Sequence, residues 1–112
     1  MAVYFKSDNP QGLLNSFKKA INDNDIVTWA EKDGYFTHTT STNQWKDRAF
    51  FLPQIKDGYL IMNLIKPKNG KISTDVYAIY HGRIIESLLT HFDQKFSNAY
   101  ATALPVSGDL VN

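Results

Sequence analysis

The chain has 112 residues, 43% hydrophobic and 21% charged. That length suits one domain, and the balance argues against both a wholly disordered chain and a membrane-embedded one. Twelve Lys and Arg against eleven Asp and Glu leave a net charge of +1, short of the clustered positive excess of a protein that lives by phosphate neutralisation. With no cysteine, disulfides, a thiol nucleophile and Cys-based zinc sites are excluded.

The opening Met1–Lys6 is a short apolar run stopped by Ser7-Asp8-Asn9-Pro10. It is too short for a secretory signal, and no window approaches the roughly 20 apolar residues that span a bilayer. The expectation is a cytoplasmic protein with no membrane partner. Asn9-Pro10 reads as a helix start: Asn caps free amides, and Pro suits the first helical position because its missing N–H had no partner there. Leu13, Leu14, Phe17 and Ile21 follow at helical spacing, and Asn22-Asp23-Asn24-Asp25 predicts the end.

Lys32-Asp33-Gly34-Tyr35 recurs as Lys56-Asp57-Gly58-Tyr59. An Asp-Gly pair between β-prone runs suits a two-residue type I′ turn, which needs positive φ at both central residues. Two hairpins are predicted, 26–32 with 35–40 and 48–56 with 59–65. Two-residue loops fix the register. Ile55 then faces Leu60, Pro53 faces Met62, Phe51 faces Leu64, Trp29 faces His38, and Glu31 faces Phe36. The first three pairs mark a core face of the second hairpin. Phe50, Leu52, Ile61 and Ile65 fall on its other face and are also apolar. Pro53 lacks an N–H and suggests a bulge or an unpaired strand side.

Residues 66–71 read as a loop. Ser73 or Thr74 then begins a helix reaching about Phe96, with Tyr77, Ile84, Ile85, Leu88, Phe92 and Phe96 on one apolar face. Gly82 inside it costs about 1 kcal/mol relative to Ala and suggests close backbone approach or a kink. The expected fold is α+β: a four-stranded antiparallel meander flanked by an N-terminal and a long C-terminal helix. Residues 1–96 form the domain, and 97–112 form an irregular or partly disordered tail.

Candidate chemistry is sparse. His81 falls within the apolar helix face, where a buried imidazole needs a partner. A core histidine bonded to a neighbouring group outranks a pocket built on His81 and Tyr77. The histidines lack the i, i+4 spacing of a helical zinc pair, so no metal or other cofactor is expected. His38 lies among Thr37, Thr39 and Thr40, but alternation places neighbours on opposite sheet faces, against a nucleophile–base pair. Lys66, Lys68 and Lys71 form a small basic patch before a helix, a candidate anion or single-stranded nucleic-acid site. Nucleic acid ranks below protein as a partner, because no phosphate-cradling motif accompanies the patch.

Trp45 and Arg48 in the linker between hairpins resemble protein-contact anchors. If both helices cover one sheet face, the other is left bare, and a bare apolar face of that extent meets a partner. The reading is therefore a non-catalytic protein-interaction module: an adaptor, a regulatory subunit or an antitoxin- or immunity-type inhibitor. It is expected to be a homodimer or to bind another protein through Trp45, Arg48, Phe50, Leu52, Ile61 and Ile65. In element order the chain is similar to double-stranded RNA-binding domains, with one strand more. Ser73-Thr74-Asp75-Val76 stands where those domains carry a basic cluster. A meander followed by a helix is also similar to small single-strand-binding coactivator folds.

Overall fold

The computed structural model describes residues 1–39 and 45–112. The elements in chain order are β1 (Ala2–Lys6), α1 (Pro10–Asn22), β2 (Trp29–Lys32), β3 (Tyr35–His38), β4 (Phe50–Lys56), β5 (Tyr59–Ile65), α2 (Thr74–Phe92) and β6 (Asn98–Ala101). The fold is α+β with an antiparallel sheet, but the sheet has six strands in the order β2-β3-β4-β5-β1-β6, not four. The expected meander survives as β2 to β5. The chain's first strand is added beside β5, and its last strand lies outside that.

Both hairpins turn on Asp-Gly with positive φ at each central residue: 54° and 85° at Asp33 and Gly34, 55° and 82° at Asp57 and Gly58. Side chains other than Gly rarely adopt that region, and Asp is among those that tolerate it. The registers follow: Trp29 opposes His38, Phe51 opposes Leu64, Pro53 opposes Met62, and Ile55 opposes Leu60. The Pro53 caution resolves without a bulge, since pairing runs unbroken from Phe50 to Lys56.

Asn9 caps α1 by accepting from the Gly12 amide at 3.0 Å, with Pro10 in the first turn. The helix buries Leu13, Leu14, Phe17 and Ala20. α2 buries Val76, Tyr80, His81, Ile84 and Leu88. Its end at Phe92, short of Phe96, lets the chain turn back so that Phe96 meets Phe5 edge-on at 5.3 Å. Gly82 is exposed with open space where a Cβ would sit, so no close backbone approach explains it.

Both helices lie on one sheet face. Phe17 of α1 packs on Phe36 at 4.8 Å, and Tyr80 and His81 of α2 approach Phe51 at 6.2 and 5.7 Å. Phe36 and Phe51 are register partners, so they share that face. They join Val3, Phe5, Leu60, Met62 and Leu64 in the core.

The segment after Phe96, expected to be irregular, carries β6 and then folds back. Thr102 exchanges two bonds with Ala2: its N–H donates to the Ala2 carbonyl at 2.9 Å, and its Oγ1 accepts from the Ala2 amide at 3.0 Å. Farther on, the Leu110 amide donates to Leu64 and its carbonyl accepts from Lys66, at 2.9 and 2.7 Å. These bonds occupy the flank of β5 beyond the end of β1, and Val111 is buried in the core. Backbone groups that a bare flank would leave unpaired thus find partners.

Candidate functional site: the open sheet face

Side chains alternate across a strand, so every core-facing residue implies an outward neighbour. On the face away from the helices, the register aligns Phe50 with Ile65, Leu52 with Asn63, Gln54 with Ile61, and Lys56 with Tyr59. β1 extends these rows with Ala2, Tyr4 and Lys6, and β6 adds Tyr100 beside Tyr4 and Asn98 beside Lys6.

The face has two halves. Toward one end, Phe50 and Ile65 are half-buried, Leu52 is 37% exposed, and Tyr35 meets the Phe50 ring edge-on at 6.4 Å. The nearby charge of Lys32 is neutralised by Asp47 at 2.9 Å. Toward the other end, Tyr4 and Tyr100 stack at 4.8 Å with an interplanar angle of 4°, and Tyr59 stands edge-on to both. Desolvation, then the neighbouring Tyr59 and Tyr4 phenols, pushes the Tyr100 hydroxyl pKa up. Lys6 and Lys56 are exposed at this end, and no carboxylate occupies an outward strand position among the described residues.

The six expected contact residues do not form one patch. Phe50, Leu52 and Ile65 share the open face. Ile61 shares it too but is only 7% exposed, because Tyr4 and Gln54 stand on either side of it. It supports the surface from below. Trp45 packs toward α2 against the core, and its carbonyl accepts the Tyr80 hydroxyl. The same hydroxyl lies 3.3 Å from both Thr37 Oγ1 and the Arg48 amide, filling the space where β3 and β4 part after the single pair Phe36–Phe51. Arg48 is exposed and close enough to Asp75 at the start of α2 to favour its charged form. Tyr4 and Tyr100 belong to the surface and were missed, because neither flanking strand was foreseen.

His81 is buried. Its Nδ1–H donates to the Tyr77 carbonyl at 2.8 Å, and its Nε2 has no partner among the described residues. Burial, opposed by the Tyr77 bond, holds its pKa down to about 4, so the ring is neutral at pH 7. Neither described cavity is lined by His81 or Tyr77.

Of the loop lysines, Lys68 and Lys71 are exposed and Lys66 is half-buried. Asp75 already brings a carboxylate to the start of α2, its pKa lowered by the Ser73 hydroxyl bonded to it at 2.5 Å. The anion these lysines were expected to attract would meet that charge. Thr40 of the threonine-rich segment lies outside the described residues.

One cavity, of about 420 Å³, sits between the start of α1 and the 94–97 turn. Its Ser7 hydroxyl is already engaged: Oγ donates to the Lys95 carbonyl at 2.6 Å and accepts from the Asn9 amide at 3.1 Å. Among the described residues, no three His, Cys, Asp or Glu side chains converge as a metal site, and no helix is long and apolar enough to cross a membrane. No protein-family model, curated protein or solved structure matches this chain.

Proposed function

We propose that the protein is a non-catalytic interaction module that docks protein through its open sheet face, with a second copy of the chain as its first occupant. One observation carries the reading: both helices cover the same side of the sheet, and Phe50, Leu52, Ile65 and Tyr35 stay partly exposed on the other. An exposed apolar patch rimmed by polar groups is the usual mark of a protein contact. The pattern suits an adaptor, a regulatory subunit or an antitoxin- or immunity-type inhibitor.

Charge placement favours self-pairing at the apolar half. Lys32 is already paired there, and Lys56 lies four residues along β4 from Leu52, about 14 Å at the usual strand rise. A two-fold axis near Leu52 brings two apolar halves together and sends the Lys6 and Lys56 charges to opposite ends, where repulsion is screened. The test is NMR of the whole chain as its concentration is raised. The expected result is saturable shifts at the Phe50 ring and the Leu52 and Ile65 methyls. Shifts confined to the outer surfaces of the helices, or none at all, overturn the reading.

A further inference from the structure

The open face carries a second kind of surface away from its apolar half. Two cross-strand rows define it. Gln54, Ile61, Tyr4 and Tyr100 align across β4, β5, β1 and β6, and Lys56, Tyr59, Lys6 and Asn98 align in the row beyond. The rows are two residues apart, about 7 Å at the usual strand rise. Tyr59 therefore stands between two lysines, whose Cα atoms are about 10 Å apart across two strand spacings.

The rings keep an accessible side. Tyr4 covers one side of the Tyr100 ring at 4.8 Å. β6 is the last strand of the sheet, so no strand covers the other side, and Tyr100 is 45% exposed. Tyr59, edge-on to Tyr4 at 5.8 Å and to Tyr100 at 6.1 Å, braces the pair. Rings ordered in advance give up little further side-chain freedom when a planar group stacks on them.

The charge within the two rows is of one sign. Lys6 and Lys56 are both exposed, and neither is in an ion pair among the described residues. Asp8 and Asp57 lie past the strand ends, outside the rows. Aromatic surface and unpaired cations are thus offered together. An uncharged ring uses only the first, and a simple anion only the second. A single nucleic-acid strand uses both, because its bases are free to stack and its phosphates are charged, whereas a duplex keeps its base faces stacked inside.

We propose that the tyrosine half of the open face binds single-stranded nucleic acid, with a base stacked on the free side of Tyr100 and neighbouring phosphates on Lys6 and Lys56. A net charge of +1 gives the chain little general attraction for phosphate. Stacking therefore carries most of the affinity, and the salt dependence is shallow: two phosphate contacts give a log–log slope of about −1.4. Pairing of two chains about Leu52 leaves this half uncovered, so strand binding does not depend on it.

The probes are an oligothymidine octamer of DNA and an oligouridine octamer of RNA, end-labelled and titrated with the whole chain by fluorescence anisotropy. The Tyr4, Tyr59 and Tyr100 ring signals are followed by NMR in the same titration. Polyphosphate supplies charge without rings, hexaglutamate stands for an acidic peptide, and a DNA duplex withholds its base faces. The expected result is saturable binding of at least one octamer with shifts at the three rings, and a weaker response to every control. The tighter octamer names the sugar. Tyr100→Ala is expected to weaken binding about tenfold, the scale of one lost base stack, and Tyr100→Phe, which keeps the ring, to stay within about twofold of the wild type. Lys6→Gln with Lys56→Gln is expected to remove most of the salt slope. No saturable binding of either octamer overturns the proposal. So does an equal response to polyphosphate, hexaglutamate or duplex, or a folded Tyr100→Ala that binds as the wild type does.

Discussion

The two faces of the β4–β5 hairpin are built from the same kinds of residue and live in different surroundings. Phe51, Met62 and Leu64 are fully buried beneath the helices, whereas Phe50 and Ile65 are half-buried and Leu52 is 37% exposed on the reverse side. The hydrophobic effect is non-directional and scales with area removed from water. On the covered face that stabilisation is already realised within one chain. On the open face part of it is still available. Apolar character alone therefore does not say which face of such a hairpin is core, and the placement of two helices decides it.

That contrast can be broken from the covered side first. Phe51→Ala leaves a void among Trp29, Tyr80 and His81 and should cost about 3–5 kcal/mol, read as a lower denaturant midpoint. The next effect is a pH dependence confined to the covered face. His81 is held at about 4 when folded against an ordinary 6.5. Above pH 6.5 the ring is neutral in both states and stability is full. As pH falls toward 4, the unfolded chain takes up a proton that the folded chain refuses, and on the order of 3 kcal/mol is lost. Denaturant unfolding across this window should show the decline, and His81→Leu should flatten it. His38, held low by burial, leaves a smaller slope of the same sign.

Gly108 sharpens the contrast at the edge of the open face. Its φ is 97°, and a Cβ there would lie 2.7 Å from Asn63 Oδ1, whose amide nitrogen donates to Ser107 O and Asp109 Oδ1 at 3.1 and 2.8 Å. Gly108→Ala should cost about 1–3 kcal/mol and speed amide exchange at Leu110 and Lys66. Leu52→Ala should have the smallest effect, within about 1 kcal/mol on the monomer's stability, because the residue fills no enclosed space.

Much of the fold could be read from local chemistry. The Asp-Gly turns fix two hairpins and their registers because few residues accept positive φ. Asn9-Pro10 marks the start of α1 because both residues suit a helix end. The two outer strands were harder. Val3 and Phe5 alternate with Tyr4 and Lys6, but five residues are too few to announce a strand without knowing that β5 has a free flank. In β6, Asn and Ala are weak strand formers, and pairing with β1 overrides their preference. The same gap limited the candidate surface. Register alone placed Phe50, Leu52 and Ile65 together, while the shielding of Ile61 and the Tyr4–Tyr100 stack depend on the unforeseen strands. Trp45 was legible as an aromatic in a linker, but its packing toward α2 is set by Tyr80, thirty-five residues away.

Sedimentation equilibrium of the intact chain over a wide concentration range, beside Leu52→Lys, is the direct test of the docking face. The account predicts that the wild-type mass rises toward that of two chains with concentration, and that the variant stays at one chain, with a melting temperature that matches the wild type's at dilutions where it too is one chain. A wild-type mass of one chain at every concentration, or a variant that still doubles, contradicts it.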